Sequence, residues 1–275
     1  MRLPQNLLAA VKKCILNSMF CVTPHHIALA KIIFLREFKT MYRRTALGPL
    51  WALLYPAAFL MVFIFFRLLF GLGNPEGVPM IPFLFSGLMN WLLFSSIVMS
   101  VHPALVSNVS ILKKIPVNPL VFVGAGAMMP LTTYAVYLAL LEGIAMFYGY
   151  YPSMHHIVLP LLGLTVAAFA VGLGLLVAAL GLYRTDIIQV LPVVIQLGMF
   201  ATPIFFSAAI VPEKLRWAIT INPIAHCVNM FRDVLFNQTW PDWSTWGVTL
   251  LVIAVVWAIA LPLFLRTTRY LADMY

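Results

Sequence analysis

The chain has 275 residues, 63% of them hydrophobic and 9% charged, with a mean hydropathy of +0.99. A soluble domain carries about 25% charged residues, so this composition excludes one and points to a polytopic membrane protein. The net charge of +9, from 17 Lys and Arg against 8 Asp and Glu, lies between apolar runs; that suits loops held against anionic lipid headgroups and not a nucleic-acid surface.

Residues 1–23 are weakly amphipathic, and Lys12 and Lys13 interrupt their only candidate apolar region, so no secretory signal peptide is expected. Thr23-Pro24 reads as an N-cap with proline at the first helical position, opening a helix to about Thr45. Ile27, Ala30, Phe34, Phe38 and Met41 form its apolar stripe, with Arg36, Lys39 and Arg43 opposite. Such a helix lies in the membrane interface or docks on a cytosolic partner, and the two are compatible. Residues 1–49 are thus read as a cytoplasmic N-terminal segment.

The stretch from Leu50 to Phe70 is uncharged but for Arg67, and its 21 residues reach about 31 Å at about 1.5 Å each, enough to cross a bilayer. Arg43 and Arg44 precede it, so it should run from inside to outside. On a helical wheel Trp51, Tyr55, Phe59, Phe63, Phe66 and Phe70 share one stripe. Further spans are expected at about 81–101, 121–148, 157–182, 187–210 and 247–265. The connection from about His102 to Pro119 carries Lys113 and Lys114 and should be cytoplasmic, as should the turn Tyr183-Arg184-Thr185-Asp186. In the fourth span Gly172, Gly174, Ala178 and Gly181 offer close helix contact. The fifth is expected to be kinked or split by Pro192 and Pro203. Residues 211–246 are too long for a turn and hold an apolar run too short to cross, the pattern of an external re-entrant segment. Thirteen of the 17 Lys and Arg fall on the side of the N-terminus, all but Lys214, Arg216, Arg232 and Arg67. That bias gives six spans over 50–266 with both ends inside, leaving 267–275 as a cytoplasmic tail.

Chemistry-bearing groups are sparse. Cys14, Cys21 and Cys227 make no disulfide framework, and His25-His26 and His155-His156 have no Cys or carboxylate at ligand spacing, so no metal site is expected. The only ionisable residues within spans are Glu142 and Arg67, and a pair between them would relieve much of the cost of burial. Alternatively, Arg67 snorkels outward while Glu142 faces water or accepts bonds within the bundle. No GxxxxGK followed by Ser or Thr is present, so if ATP powers this protein its site lies on another chain. No internal repeat of the kind common in secondary transporters is apparent. Six unrepeated helices suggest half of a homodimer.

Leu47-Gly48-Pro49-Leu50-Trp51-Ala52 with Pro56, then Lys113-Lys114-Ile115-Pro116, the Tyr183-Arg184 turn, Thr202-Pro203-Ile204, and Asn222-Pro223 followed by Arg232 occur in the order seen in type-2 ABC-transporter permeases. Over nearly its whole length the chain resembles the subunit that exports lipopolysaccharide O-antigen, with capsule and teichoic-acid permeases close behind. One departure is that Thr185 separates Arg184 from Asp186 where the family usually has an Arg-Asp pair, which leaves a role for that Asp open.

The resemblance implies an all-α integral membrane protein of six transmembrane helices, an N-terminal interfacial helix and external re-entrant helices, working as a homodimer in the bacterial cytoplasmic membrane. It further implies two copies of a separate subunit holding ATP and Mg, no cofactor on this chain, and a polysaccharide on undecaprenyl pyrophosphate as cargo. Coupling to the ATPase would fall on about Val106 to Pro119, with Lys113, Lys114, Ile115 and Pro116, and on the interfacial helix with Arg36, Lys39 and Arg43; Asn222, Pro223 and Arg232 would belong to the re-entrant segment.

Because sugar C–H faces pack on aromatic rings in many registers, Trp51, Tyr55, Phe59, Phe63 and Phe66 are candidates for the substrate path. Lipid-facing or dimer-core rings would show the same spacing, and Trp51 and Tyr55 could serve as interface anchors. Arg232 could meet pyrophosphate or make a structural bond within the re-entrant turn. A membrane-embedded glycolipid-modifying enzyme would need clustered acids, and the loops carry only single ones.

Overall fold

The computed structural model describes residues 24–43, 46–71, 77–114, 117–207 and 211–268, leaving aside some side chains within them, Arg43 among these. An amphipathic helix α1 (Pro24–Arg43) leads, starting at the expected Pro24, with residues 44–45 of the expected helix outside the described residues. A short 3₁₀ turn, Gly48–Leu50, feeds α2 (Trp51–Leu69). There follow α3 (Met80–Val106), the short α4 (Val109–Lys114) and α5 (Leu120–Phe147). A 3₁₀ turn, Met154–Val158, opens α6 (Leu159–Gly181), and α7 (Thr185–Ala201) comes next. Beyond it lie α8 (Arg216–Ile221), α9 (Pro223–Arg232) running into a π-helical turn at Asp233–Asn237, and α10 (Trp243–Thr268).

Among the described residues five helical stretches are long and apolar enough to cross a membrane: Gly48–Leu69, Met80–Val106, Leu120–Phe147, Met154–Gly181 and Trp243–Thr268. The expected fifth span is different. At 17 residues α7 reaches only about 26 Å, and it stops at Ala201 instead of continuing toward residue 210. Pro203 accounts for this, because its ring cannot follow residue 199 in a helix and its nitrogen has no proton to give. Conversely α3 runs five residues past the anticipated end at Val101, carrying Pro103 within its last turn.

The core is built on α3, which packs against α5 on one side and α6 on another, while α6 carries α10 on its far flank. Close approach is set by small residues. A Cβ on Gly174 would lie 2.6 Å from Val101 Cγ2 of α3, and one on Gly172 would lie 2.9 Å from the Trp257 ring of α10. The Trp257 indole then donates to the carbonyl of Ala168 at 2.8 Å. At the end of the bundle holding α4, α1 lies on α5, with Ile33 buried against Phe122 and Ala125. Two apolar helices remain open. Of α2 only Pro56 and Arg67 are buried, and of α7 only Ile195 and Met199.

Candidate functional site

The break after α7 gathers four of the segments that the sequence singles out. Unwinding at Thr202–Phe205 frees backbone carbonyls that in an apolar setting cost several kcal/mol each if unsatisfied. Arg232 lies buried beside them and donates from one terminal nitrogen to the carbonyl of Pro203 at 2.7 Å, and from the other to Ile204 at 2.8 Å and to Phe83 of α3 at 3.3 Å. Its guanidinium carbon stands 3.6 Å above the Phe83 ring. Arg67 of α2 donates to the next carbonyl, that of Phe205, at 2.8 Å. The Thr202 hydroxyl donates back to Gly198 at 2.9 Å and accepts from the Asn222 amide at 2.9 Å. With its own oxygen Asn222 caps α9 by accepting from the Ile224 amide at 3.0 Å, and Pro223 takes the first helical position. Thr202-Pro203-Ile204, Asn222-Pro223 and Arg232 are therefore parts of one knot, and the structural bonds of Arg232 reach Pro203, Ile204 and Phe83, outside the re-entrant turn within which such a bond is expected. Nothing in the local pattern points to Phe83 or Phe205, whose backbone oxygens complete it.

The anticipated pairing of Arg67 with Glu142 is corrected. Glu142 of α5 faces the 3₁₀ turn before α6, where His156 Nδ1 lies 2.9 and 3.0 Å from its two oxygens. The hairpin joining α5 to α6 brings these two together, whereas Arg67 is drawn to the break in α7. His155 turns the other way, its ring edge-on to Trp240 at 4.8 Å. Among the described residues no group of three His, Cys, Asp or Glu could hold a metal ion.

The aromatic stripe of α2 is realised as a ladder with two kinds of rung. Trp51, Tyr55 and Phe66 are exposed, while Phe59 and Phe63 are half-buried against the core. Ring centroids run from Tyr55 to Phe59 at 5.1 Å, on to Phe63 at 6.3 Å, then across to Phe205 at 3.4 Å. Phe200 of α7 stands 6.1 Å beyond. Beside the lower rungs a cavity of about 230 Å³ lies between α2, α3 and α5, and Tyr137 fixes α2 there by donating its hydroxyl to the Ala52 carbonyl at 2.8 Å.

At the end of the bundle that holds α1 and α4, Arg36 donates to the Asn108 side-chain oxygen at 3.0 Å, and the Asn108 amide donates to the Ala104 carbonyl at 2.8 Å. That tie joins α1 to the turn between α3 and α4. Lys113 and Lys114 sit exposed in the last turn of α4, where positive charge complements the helix dipole; Lys39 is also exposed. Ile115 and Pro116 lie outside the described residues, as does the side chain of Arg43. Arg184 is the extended N-cap of α7 and Asp186 stands in its first turn, both exposed.

A helical membrane bundle with a basic short helix between two long spans and a broken helix tied down by arginine defines a class, and a profile of that class matches: the chain belongs to the ABC-2 type transporter family, over residues 28–236. Among its relatives, an O-antigen export system permease protein RfbA of Klebsiella pneumoniae is 27% identical over 220 residues, 77% of this chain and 81% of that protein. One from Myxococcus xanthus is 25% identical over 210 residues, 75% and 80% of the two chains. A polysialic acid transport protein KpsM of Escherichia coli is 28% identical over 241 residues, 86% and 91%.

Proposed function

We propose that the chain is the permease subunit of an ATP-driven exporter that moves a lipid-linked polysaccharide across the bacterial cytoplasmic membrane, with undecaprenyl-pyrophosphate-linked O-antigen as cargo. The observation that carries this reading is the similarity, over three quarters of the chain, to proteins named as O-antigen export permeases. The likeness to a polysialic acid transport protein keeps capsular polysaccharide as a second reading. In this scheme the chain works as a homodimer with two copies of an ATPase that binds ATP and Mg, and it catalyses no reaction itself. Both termini face the cytoplasm, α7 completes six crossings, and residues 211–246 lie at the outer face.

The open sides of α2 and α7 supply surface for a second copy and a ring-lined passage, with Trp51, Tyr55, Phe59, Phe63 and Phe66 as its candidate wall. The basic α4 and α1, tied by Arg36 and Asn108, supply a docking surface for the motor. The test is to delete the chain and restore it with a tagged copy in a producing strain. Surface polysaccharide is expected to vanish and return, and an ATP-binding protein to co-purify with a chain that runs as a dimer. Monomeric particles without an ATPase, or unchanged surface polymer, would overturn the proposal.

A further inference from the structure

Two hollows meet on one flank of the bundle. The larger, about 410 Å³, is lined by Glu37 of α1, by Ser96, Ser100 and Ser107 of α3, and by Met129 and Pro130 of α5. The smaller, about 230 Å³, brings in Trp51, Tyr55 and Thr133 and shares Ser96, Met129 and Pro130 with the first. They are therefore one groove, running from the interfacial helix to the aromatic rungs of α2. The larger hollow alone falls within the range of about 300–1,000 Å³ usual for small-molecule sites.

The chemistry of this groove is lopsided. Glu37 can only accept hydrogen bonds when ionised. Ser100 and Ser107 spend their protons on the carbonyls of Ile97 at 2.9 Å and Ala104 at 3.5 Å within their own helix; Ser100 keeps its oxygen lone pairs to accept, while Ser107 already accepts from the Asn108 amide at 3.2 Å and keeps one. Among the described residues no Lys, Arg or His lines either hollow. An anionic phosphate would meet the Glu37 carboxylate with no cation among the described lining residues to offset it, and an acyl chain would strand the row of oxygens. A sugar suits both ends, its hydroxyls donating to Glu37 and the serines and its C–H face resting on the exposed Trp51 and Tyr55.

Building on the export reading, we propose that this groove holds a neutral saccharide unit of the lipid-linked polymer at the cytoplasmic mouth of the path, while the pyrophosphate stays outside it. The test uses Ser96→Cys in the full chain with Cys14→Ser and Cys21→Ser, co-expressed with its ATPase, and follows the rate of modification by N-ethylmaleimide in inside-out vesicles. Vesicles from polymer-producing cells are expected to react about tenfold more slowly than those from cells blocked in polymer synthesis, for a polymer present at about ten times its Kd. Leu164→Cys, on an exposed face of α6, is expected to react alike in both.

Equal rates for Ser96→Cys would overturn the assignment. So would equal protection in both vesicle types, which would mark a phospholipid as the occupant. Ser100→Cys, one turn on, repeats the test if Ser96→Cys does not elute as a monodisperse complex. If deleting the chain abolishes surface polymer but neither cysteine is protected, the groove assignment alone falls.

Discussion

Arg232 commits both terminal nitrogens of its guanidinium to backbone oxygens on two other segments. Only a planar fork does this; an ammonium is a point charge that cannot span them. Arg232→Ala would leave the Pro203 and Ile204 carbonyls without that donor, at about 1–3 kcal/mol each, while Phe83 keeps the Ser86 hydroxyl, and is expected to cost about 3–5 kcal/mol. Arg232→Lys keeps the charge and is still expected to cost about 2–4 kcal/mol. Thermal unfolding in detergent measures both. A lysine variant as stable as wild type would show that charge, and not the fork, is what the position requires. Asp242 offers a second residue-scale test, at the N-terminus of α10. The Thr245 hydroxyl at 2.5 Å, with the Ser244 and Thr245 amides, holds its carboxyl below the usual carboxylate range. Its folded value is depressed, so the stabilisation is present above the unfolded value and lost as pH falls through the folded one. Protection of the first-turn amides of α10, taken relative to their intrinsic exchange rate at each pH, should accordingly fall on acidification, and Asp242→Asn should flatten that dependence.

Elements were legible in the sequence where one physical rule governs them and obscure where two compete. The boundaries of α2 and α5 follow from apolar length to within a residue, and the start of α1 from its capping pair and two-sided pattern, whereas α10 begins four residues before the expected 247–265 and ends three after it. Small residues of the fourth span do bring helices together, as Gly172 and Gly174 show. The end of α7 was harder, because hydropathy continues past Pro203 while the backbone cannot. Partners of lone charges were harder still. Glu142 finds His156 through a hairpin, and Arg67 finds a carbonyl in a segment 138 residues away; neither address is written in local pattern. Gly174→Val tests the element scale, since its side chain must enter space held by Val101. Overpacking of this kind costs about 1–3 kcal/mol, and the variant is expected to unfold at lower temperature than Gly143→Ala, whose Cβ would meet nothing within 4 Å.

Across the whole molecule, α3 links the two ends of the machine. It reaches from the carbonyl of Phe83, held by Arg232, to the turn where Asn108 is held by Arg36, about 40 Å for its 27 residues. A push on α1 and α4 therefore meets a stiff rod anchored at the break in α7, the helix that together with α2 leaves its apolar face uncovered. If a second copy covers those faces, pairs of symmetry-related residues on α7 must come close. Val193 and Leu197 are one turn apart and exposed at 57% and 65%. With Cys14 and Cys21 replaced and the buried Cys227 kept, Val193→Cys or Leu197→Cys is expected to give disulfide-linked dimers in native membranes under mild oxidation. Leu164→Cys, equally open but on α6, should not. Cross-linking from α6 in place of α7 would put the twofold axis on the other side of the bundle, and the ladder from Tyr55 to Phe205 would then face lipid instead of cargo.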